Sequence, residues 1–307
     1  MTEGSPRVSP SSAAEIDRRL GELVEARPPL LVVTDFDGTL APITTAPLEA
    51  RIVPLARSAL RRLAAHAETR PDRLRLAVLS GRTALDVAGR VRVGGIGYLG
   101  NHGLEVGRLA RRARAGSMRV AVDPALLEAV PAAHALGEGV AERMGRPDWL
   151  FVEEKGPSVA FHFRQAPDPE AARTALLTAI EATEKATGGH GLAAFEGRKV
   201  IEFRPLGAGG KGAAIERLIE RERARAVLVL GDDVSDAEAF RAVRDARAEG
   251  HIAGLTVGVH GAAETPPAVL EAADVILPAP ADAARLLARL DRLLAEPAST
   301  DAGQARA

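Results

Sequence analysis

Six short, mostly apolar runs limit the folds that this chain can adopt. They occur at residues 30–33, 75–79, 96–99, 226–230, 255–259 and 274–277. Strands without polar alternation are typical of parallel sheets buried on both faces. Segments of helical period separate most of them, at residues 54–65, 84–90, 211–223, 236–244 and 281–294. This alternation predicts an α/β fold with a doubly wound, Rossmann-like parallel sheet.

The middle of the chain has a different pattern. Candidate strands lie at residues 118–122, 149–154, 158–164, 192–195 and 198–204, with turn signals at 155–156 and 197–198 and helices near 124–143 and 169–187. Strands joined by tight turns indicate an antiparallel α+β module. We therefore expect a core made of residues 13–109 and 206–295, an inserted α+β cap domain at 110–205, and disordered tails at 1–12 and 296–307.

Composition excludes several classes of function. Lys and Arg number 40 against 41 Asp and Glu, aromatic residues make up only 3%, and cysteine is absent. A neutral chain with few aromatic residues lacks the signature of nucleic-acid binding, and cysteine chemistry is impossible. Neither a signal-peptide pattern nor an apolar stretch of membrane-spanning length is present. We expect a cytoplasmic protein with no nucleic-acid or membrane partner.

Acidic residues follow two of the candidate strands. Asp35 and Asp37 come after the first strand, and Asp232, Asp233 and Asp236 come after the strand at 226–230. Ligands of open α/β sheets bind at the carboxyl ends of the strands, and clustered carboxylates are suited to Mg²⁺. Taken alone, the first motif also fits an Asp-Gly turn, and Asp236 also fits a helix N-cap.

A hydroxyl and a lysine accompany these acids. Ser80, Gly81 and Arg82 follow the strand at 75–79 and precede a helix, an arrangement that can hold phosphate through backbone N–H groups. Lys211 opens a helix after a glycine-rich loop and can place a positive charge near the same phosphate. Each of these signals is weak by itself.

In this order, carboxylate, hydroxyl, lysine and acidic cluster resemble the four-part signature of the haloacid dehalogenase superfamily. The resemblance implies that Asp35 is a nucleophile that forms an aspartyl-phosphate and that Asp37 is the general acid. It further implies that Ser80 and Lys211 hold the phosphoryl oxygens. Mg²⁺ would be bound by Asp35, the Asp37 carbonyl and Asp232, with Asp233 and Asp236 orienting its waters; Mn²⁺ or Co²⁺ could replace it at an oxygen site.

Alternation in the inserted module separates an apolar from a charged face. His162 and Arg164 oppose Val159, Phe161 and Phe163, and Glu202 and Arg204 oppose Ile201 and Phe203. A mixed-charge face suits a polyhydroxylated sugar, and it equally suits an ordinary solvated sheet face.

Three motifs extend the resemblance: Gly-Asn-His-Gly-Leu-Glu at 100–105, Glu-Glu-Lys-Gly at 153–156 leading to His-Phe-Arg at 162–164, and Lys-Val-Ile-Glu-Phe-Arg-Pro at 199–205. Together they are similar to the trehalose-6-phosphate phosphatase family. The resemblance implies hydrolysis of trehalose 6-phosphate, the last step of trehalose biosynthesis, under a closing cap, with possible functional coupling to a trehalose-6-phosphate synthase. The implied substrate contacts are Gly81, Arg82, Asn101, His102, Glu153, Lys155, Arg164 and Glu196.

Two alternatives stay open at this stage. One is a related capped phosphatase acting on sucrose phosphate or a glycosyl-phosphoglycerate. The other is a non-catalytic module that binds a sugar phosphate and regulates a partner, although such a role has no need of a nucleophile.

Overall fold

The computed structural model describes residues 11–44, 47–187, 191–197, 199–260 and 265–296. The strands are β1 Leu30–Thr34, β2 Leu74–Leu79, β3 Ile96–Gly100, β4 Glu105–Leu109, β5 Val120–Val122, β6 Phe151–Glu154, β7 Val159–His162, β8 Leu192–Gly197, β9 Val200–Pro205, β10 Ala226–Gly231, β11 Ala253–Val259 and β12 Val275–Leu277. The helices are α1 Ala13–Glu25, α2 Pro54–Thr69, α3 Ala84–Val91, α4 Pro124–Leu127, α5 Val130–Arg143, α6 Pro169–Thr187, α7 Lys211–Glu222, α8 Val234–Ala248, α9 Pro267–Ala272 and α10 Pro280–Ala295.

The larger sheet has the strand order β12-β11-β10-β1-β2-β3-β4-β5. Its strands from β12 to β3 are parallel, and β4 and β5 add an antiparallel edge. Leu30 and Val32 of β1 pack with α1, α2, α3 and α10, whereas Leu31 and Val33 pack with α7, α8 and α9 on the opposite face. Every side chain of β1 is therefore buried, and the predicted doubly wound sheet is confirmed.

The smaller sheet is antiparallel, in the order β6-β7-β9-β8. One of its faces packs against α5 and α6 through apolar residues that include Leu136, Phe161 and Leu176. Its other face carries polar side chains. This separate sheet confirms the predicted second α+β unit.

Some local expectations differ from the structure. The strand that the sequence places in the inserted module at 118–122 is β5, which pairs with β4 in the larger sheet. The expected helix at 124–143 is divided into α4 and α5. The domain boundaries themselves stay a prediction.

The two expected tails fall almost wholly outside the described residues. The exceptions are Ser11, Ser12 and Glu296, and both serines belong to the fold. Ser11 donates its N–H to the carbonyl of Ile276 at the edge of the sheet, and Ser12 caps α1. No helix in the described ranges is long and apolar enough to cross a bilayer.

Candidate active site

The ends of β1 and β10 lie side by side at the switch point of the larger sheet. Thr34 pairs with Leu230, and the N–H of Asp35 donates to the carbonyl of Leu230 at 2.9 Å. The strand order reverses between these two strands, which is where open α/β sheets bind ligands. Gly38 has φ +81°, and a Cβ there would lie 2.0 Å from Oδ2 of Asp232. Only glycine allows the two acidic loops to approach this closely.

Lys211 is buried at the first position of α7, between two carboxylates. Its Nζ donates to Oδ1 of Asp35 and to Oδ1 of Asp236, both at 2.7 Å. Asp236 also accepts the N–H groups of Asp232 and Asp233, completing a capping box at the start of α8. The lysine therefore joins the loops after β1 and β10.

Three buried carboxylates, those of Asp35, Asp232 and Asp236, each place an oxygen within 4.8 Å of the others. Burial and the repulsion of Asp236 and Asp37 outweigh Lys211 and raise the pKa of Asp35 to about 8. Burial and the charge of Asp35 likewise raise the pKa of Asp232 well above its usual range. One ammonium facing three carboxylates leaves negative charge uncompensated, and an all-oxygen donor set fits a hard divalent cation.

Asp37 lies nearer to solvent, with 40% of its side chain exposed. Arg82 donates a hydrogen bond to each of its two carboxylate oxygens, from Nε at 2.6 Å and from Nη2 at 2.8 Å. The same guanidinium donates to Asp86 and stacks over the ring of Phe36. Arg82, expected to contact substrate, thus contacts the acid that the sequence proposes as proton donor.

The expected phosphate loop follows β2. Ser80 is buried, and its Oγ accepts the N–H of Arg82 at 3.2 Å. At the start of α3, Thr83 caps the helix and Glu105 accepts the N–H of Ala84 at 2.7 Å. Two backbone N–H groups of the loop that we expected to bind phosphate, those of Arg82 and Ala84, are therefore already hydrogen-bonded within the protein.

A buried polar network joins the smaller sheet to the loops after β2 and β3. Lys155 donates to the carbonyl of Gly81 at 3.1 Å and to Oε1 of Glu202 at 2.5 Å. Oε2 of Glu202 lies 2.9 Å from Nε2 of His102 and accepts from Arg204 at 3.0 Å. These contacts hold the polar face of the smaller sheet against the larger one.

Asn101 extends the same junction. Its Nδ2 donates to the carbonyl of Lys155 at 3.0 Å, and its Oδ1 accepts from Ser158 at 2.8 Å. Sequence reasoning did not select Glu202, Arg204 or Ser158 as candidates. The alternation of the strand at 198–204 was the available signal, since it already places Glu202 and Arg204 on the charged face.

The remaining candidates are more scattered. Glu153 accepts from His162 at 2.9 Å on the polar face of the smaller sheet, and Arg164 donates to the carbonyl of Thr44. Glu196 is ion-paired with Arg173 of α6, on the face that packs against the helices. The structure does not bring Glu196 together with the other proposed sugar contacts, and its role stays a prediction.

His102 makes stability depend on pH. Burial lowers its pKa from 6.5 to about 4 despite the opposing carboxylate of Glu202. Between these values the unfolded chain binds more protons, so this contribution is complete above pH 6.5 and is lost as the pH falls toward 4. Relative to His102→Gln, the wild type should lose up to about 3 kcal/mol of unfolding free energy between pH 7 and pH 4.

Urea denaturation across this pH range measures that difference. The matched control is His251→Gln, because His251 has 69% of its side chain exposed and should leave the pH dependence unchanged. A constant difference between wild type and His102→Gln at all pH values would contradict the assignment.

The doubly wound sheet, the acidic loops at its switch point and the inserted second sheet define a capped fold of the haloacid dehalogenase type. A model of the trehalose-phosphatase family matches residues 33–265. The chain belongs to the trehalose-phosphatase family.

Known proteins agree with this assignment. A trehalose-phosphate phosphatase of Mycobacterium avium is 36% identical over 252 residues, which cover 76% of this chain and 59% of the relative. The protein of that name from Mycobacterium leprae is 33% identical over 248 residues, covering 74% and 53%. The chain therefore spans little more than half the length of these relatives.

Solved structures share the fold at low sequence identity. The C-terminal domain of Candida albicans trehalose-6-phosphate phosphatase matches with a TM-score of 0.71 at 19% identity, covering 94% of this chain and 99% of that one. A haloacid dehalogenase-like hydrolase from Bacteroides thetaiotaomicron matches with a TM-score of 0.55 at 17% identity, covering 87% and 100%. Both place the chain in the capped α/β architecture.

Proposed function

We propose that this chain is a phosphatase that hydrolyses trehalose 6-phosphate to trehalose and phosphate. The observation that carries the proposal is the buried pair of Asp35 and Lys211 beside Asp232, at the switch point of a family-typical fold. A capped site with a nucleophilic carboxylate suits phosphate esters, and the names of the relatives indicate this substrate.

Asp35 is the nucleophile in this proposal. Lys211 holds Oδ1, which leaves Oδ2 to attack phosphorus. The new bond joins that oxygen to phosphorus while the bond between phosphorus and the sugar oxygen breaks. Lys211 and the loop at Ser80 hold the phosphoryl oxygens during transfer.

Asp37 supplies and then removes a proton. It protonates the departing sugar oxygen, and as a carboxylate it later accepts a proton from the water that hydrolyses the aspartyl-phosphate. Both of its oxygens accept from Arg82 in the structure, so this pair has to open before Asp37 can carry the proton.

Asp35, the Asp37 carbonyl and Asp232 would hold Mg²⁺, with Asp233 and Asp236 behind them. Such an ion neutralises the charge that develops on the phosphoryl group. The uncompensated carboxylates around Lys211 support this part of the proposal. Functional coupling to a trehalose-6-phosphate synthase, which would supply the substrate, belongs to the same proposal.

Phosphate release from a substrate panel tests the function. The panel contains trehalose 6-phosphate, glucose 6-phosphate, sucrose 6-phosphate and glucosyl-3-phosphoglycerate, each with Mg²⁺ and with EDTA. We expect at least a tenfold preference in kcat/KM for trehalose 6-phosphate, loss of activity in EDTA and recovery when Mg²⁺ is restored.

Preference for another ester of the panel would replace the substrate and keep the chemistry. If the folded protein released no phosphate from any of the esters, the alternative of a non-catalytic module that binds a sugar phosphate and regulates a partner would be favoured. Activity that persists in EDTA would contradict the metal assignment.

A further inference from the structure

An exposed aromatic ring lies on the polar face of the smaller sheet. Phe151 begins β6 with half of its surface exposed, whereas Phe161, Phe163 and Phe203 of the same unit are buried. Its neighbour Val152 packs toward α5 and α6. Side chains alternate along a strand, so Phe151 and Glu153 both lie on the opposite face.

That face looks toward the active-site loops. Burial raises the pKa of Glu153, but the hydrogen bond with His162 and the charge of Lys155 outweigh this effect and lower the pKa overall. Lys155 in turn bonds the carbonyl of Gly81, and Glu202 bonds His102. Phe151 is therefore on the side of the sheet that covers the site.

The ring has polar neighbours in a fixed arrangement. Phe151 pairs across the strands with His162, their ring centroids 5.6 Å apart and their planes inclined by 33°. Glu153 holds the imidazole through Nε2 at 2.9 Å. A flat apolar surface next to a carboxylate and an imidazole matches a pyranose ring, which has apolar C–H faces and a rim of hydroxyl groups.

The spacing along the strand selects one ring of the substrate. Lys155 lies at the end of β6 that is nearer to the proposed phosphate site, because it donates a hydrogen bond to the carbonyl of Gly81, next to Ser80. Phe151 precedes it by four residues, and an extended chain covers about 13 Å in that distance. This is the length scale of two linked hexose rings rather than of one.

We infer that Phe151, flanked by His162 and Glu153, forms the subsite on which the non-phosphorylated glucose unit stacks. The inference rests on the proposed function and deepens it, since it assigns the discrimination between disaccharide and monosaccharide phosphates to one side chain. Phe151 is a specificity-determining residue, remote from the reacting atoms.

The test compares Phe151→Ala and Phe151→Trp with the wild type on trehalose 6-phosphate and glucose 6-phosphate. Phe151→Ala should raise KM for trehalose 6-phosphate about tenfold with little change in kcat, and the inhibition constant of trehalose should rise in parallel. Its kcat/KM for glucose 6-phosphate should stay within about twofold of the wild type. Phe151→Trp keeps an aromatic face and should restore a low KM.

Leu127→Ala is the matched control, since Leu127 is an exposed apolar residue on α4 with 46% of its surface accessible. It should leave both substrates unaffected. If Phe151→Ala keeps the wild-type KM for trehalose 6-phosphate, or if its kcat/KM falls equally for both substrates, the inference about Phe151 is overturned and the proposed function is unaffected. A wild type without preference for trehalose 6-phosphate over glucose 6-phosphate overturns the proposed function and the inference with it.

Discussion

Asp35→Asn should lower kcat/KM for trehalose 6-phosphate by at least about 10³-fold, or ~4 kcal/mol. The amide cannot form the acyl phosphate, and it removes a charge that both Lys211 and a bound cation require. Phosphate release under saturating Mg²⁺ measures the loss. The substitution preserves shape, so circular dichroism should report an unchanged fold.

The control for this variant is Asp245→Asn, an exposed acid on α8 that should keep full activity. The intermediate can be followed separately with phosphate-labelled substrate. Asp37→Asn should accumulate acid-stable phosphoenzyme that Asp35→Asn cannot form. Substantial turnover by folded Asp35→Asn would remove Asp35 from the nucleophile's role.

Lys211→Met should lower the free energy of unfolding by about 3 kcal/mol, because it leaves two buried carboxylates without their cation. Activity should fall as well, since the phosphoryl group loses its ammonium partner. Chemical denaturation in EDTA isolates the stability effect from metal binding. Lys185→Met, on a side chain with 75% exposure, should change stability by less than about 0.5 kcal/mol.

A double-mutant cycle separates the ion pair from other effects of the substitution. Asp236→Asn should cost about 2 kcal/mol less in the Lys211→Met background than in the wild type, because its charge then has no partner to lose. Strict additivity of the two substitutions would show that the buried pair does not couple the two loops.

The core fold could be read from local pattern because parallel strands are buried on both faces. In β1 the residues before Thr34 are all apolar, β10 contains only apolar residues and a final glycine, and the acidic residues begin where these strands end. Chain order then brings Asp35 and Asp232 to the same edge without knowledge of any contact. The acidic cluster was accessible to sequence reasoning for this reason.

The smaller unit was less accessible because its strands are short and their partners are distant in sequence. The three residues of β5 have no pattern that distinguishes one sheet from another, and pairing with β4 alone places them in the larger sheet. The position of Glu196 likewise depends on a strand pairing that local sequence does not specify. Its strand register turns it toward Arg173, and a shift of one position would have turned it to the other face.

Local sequence pattern is enough to predict the fold class, the edge of the sheet that carries the acids and the chemical types gathered there, since strand burial and strand ends leave local signals. Which charged side chains contact one another depends on how distant elements pack together. Contacts between side chains of the site join residues that are 25 to 176 positions apart in the sequence. They connect Arg82 with Asp37, Lys211 with Asp35 and Asp236, and Glu202 with His102. Such pairings depend on distances and desolvation across packed elements, which no local pattern encodes.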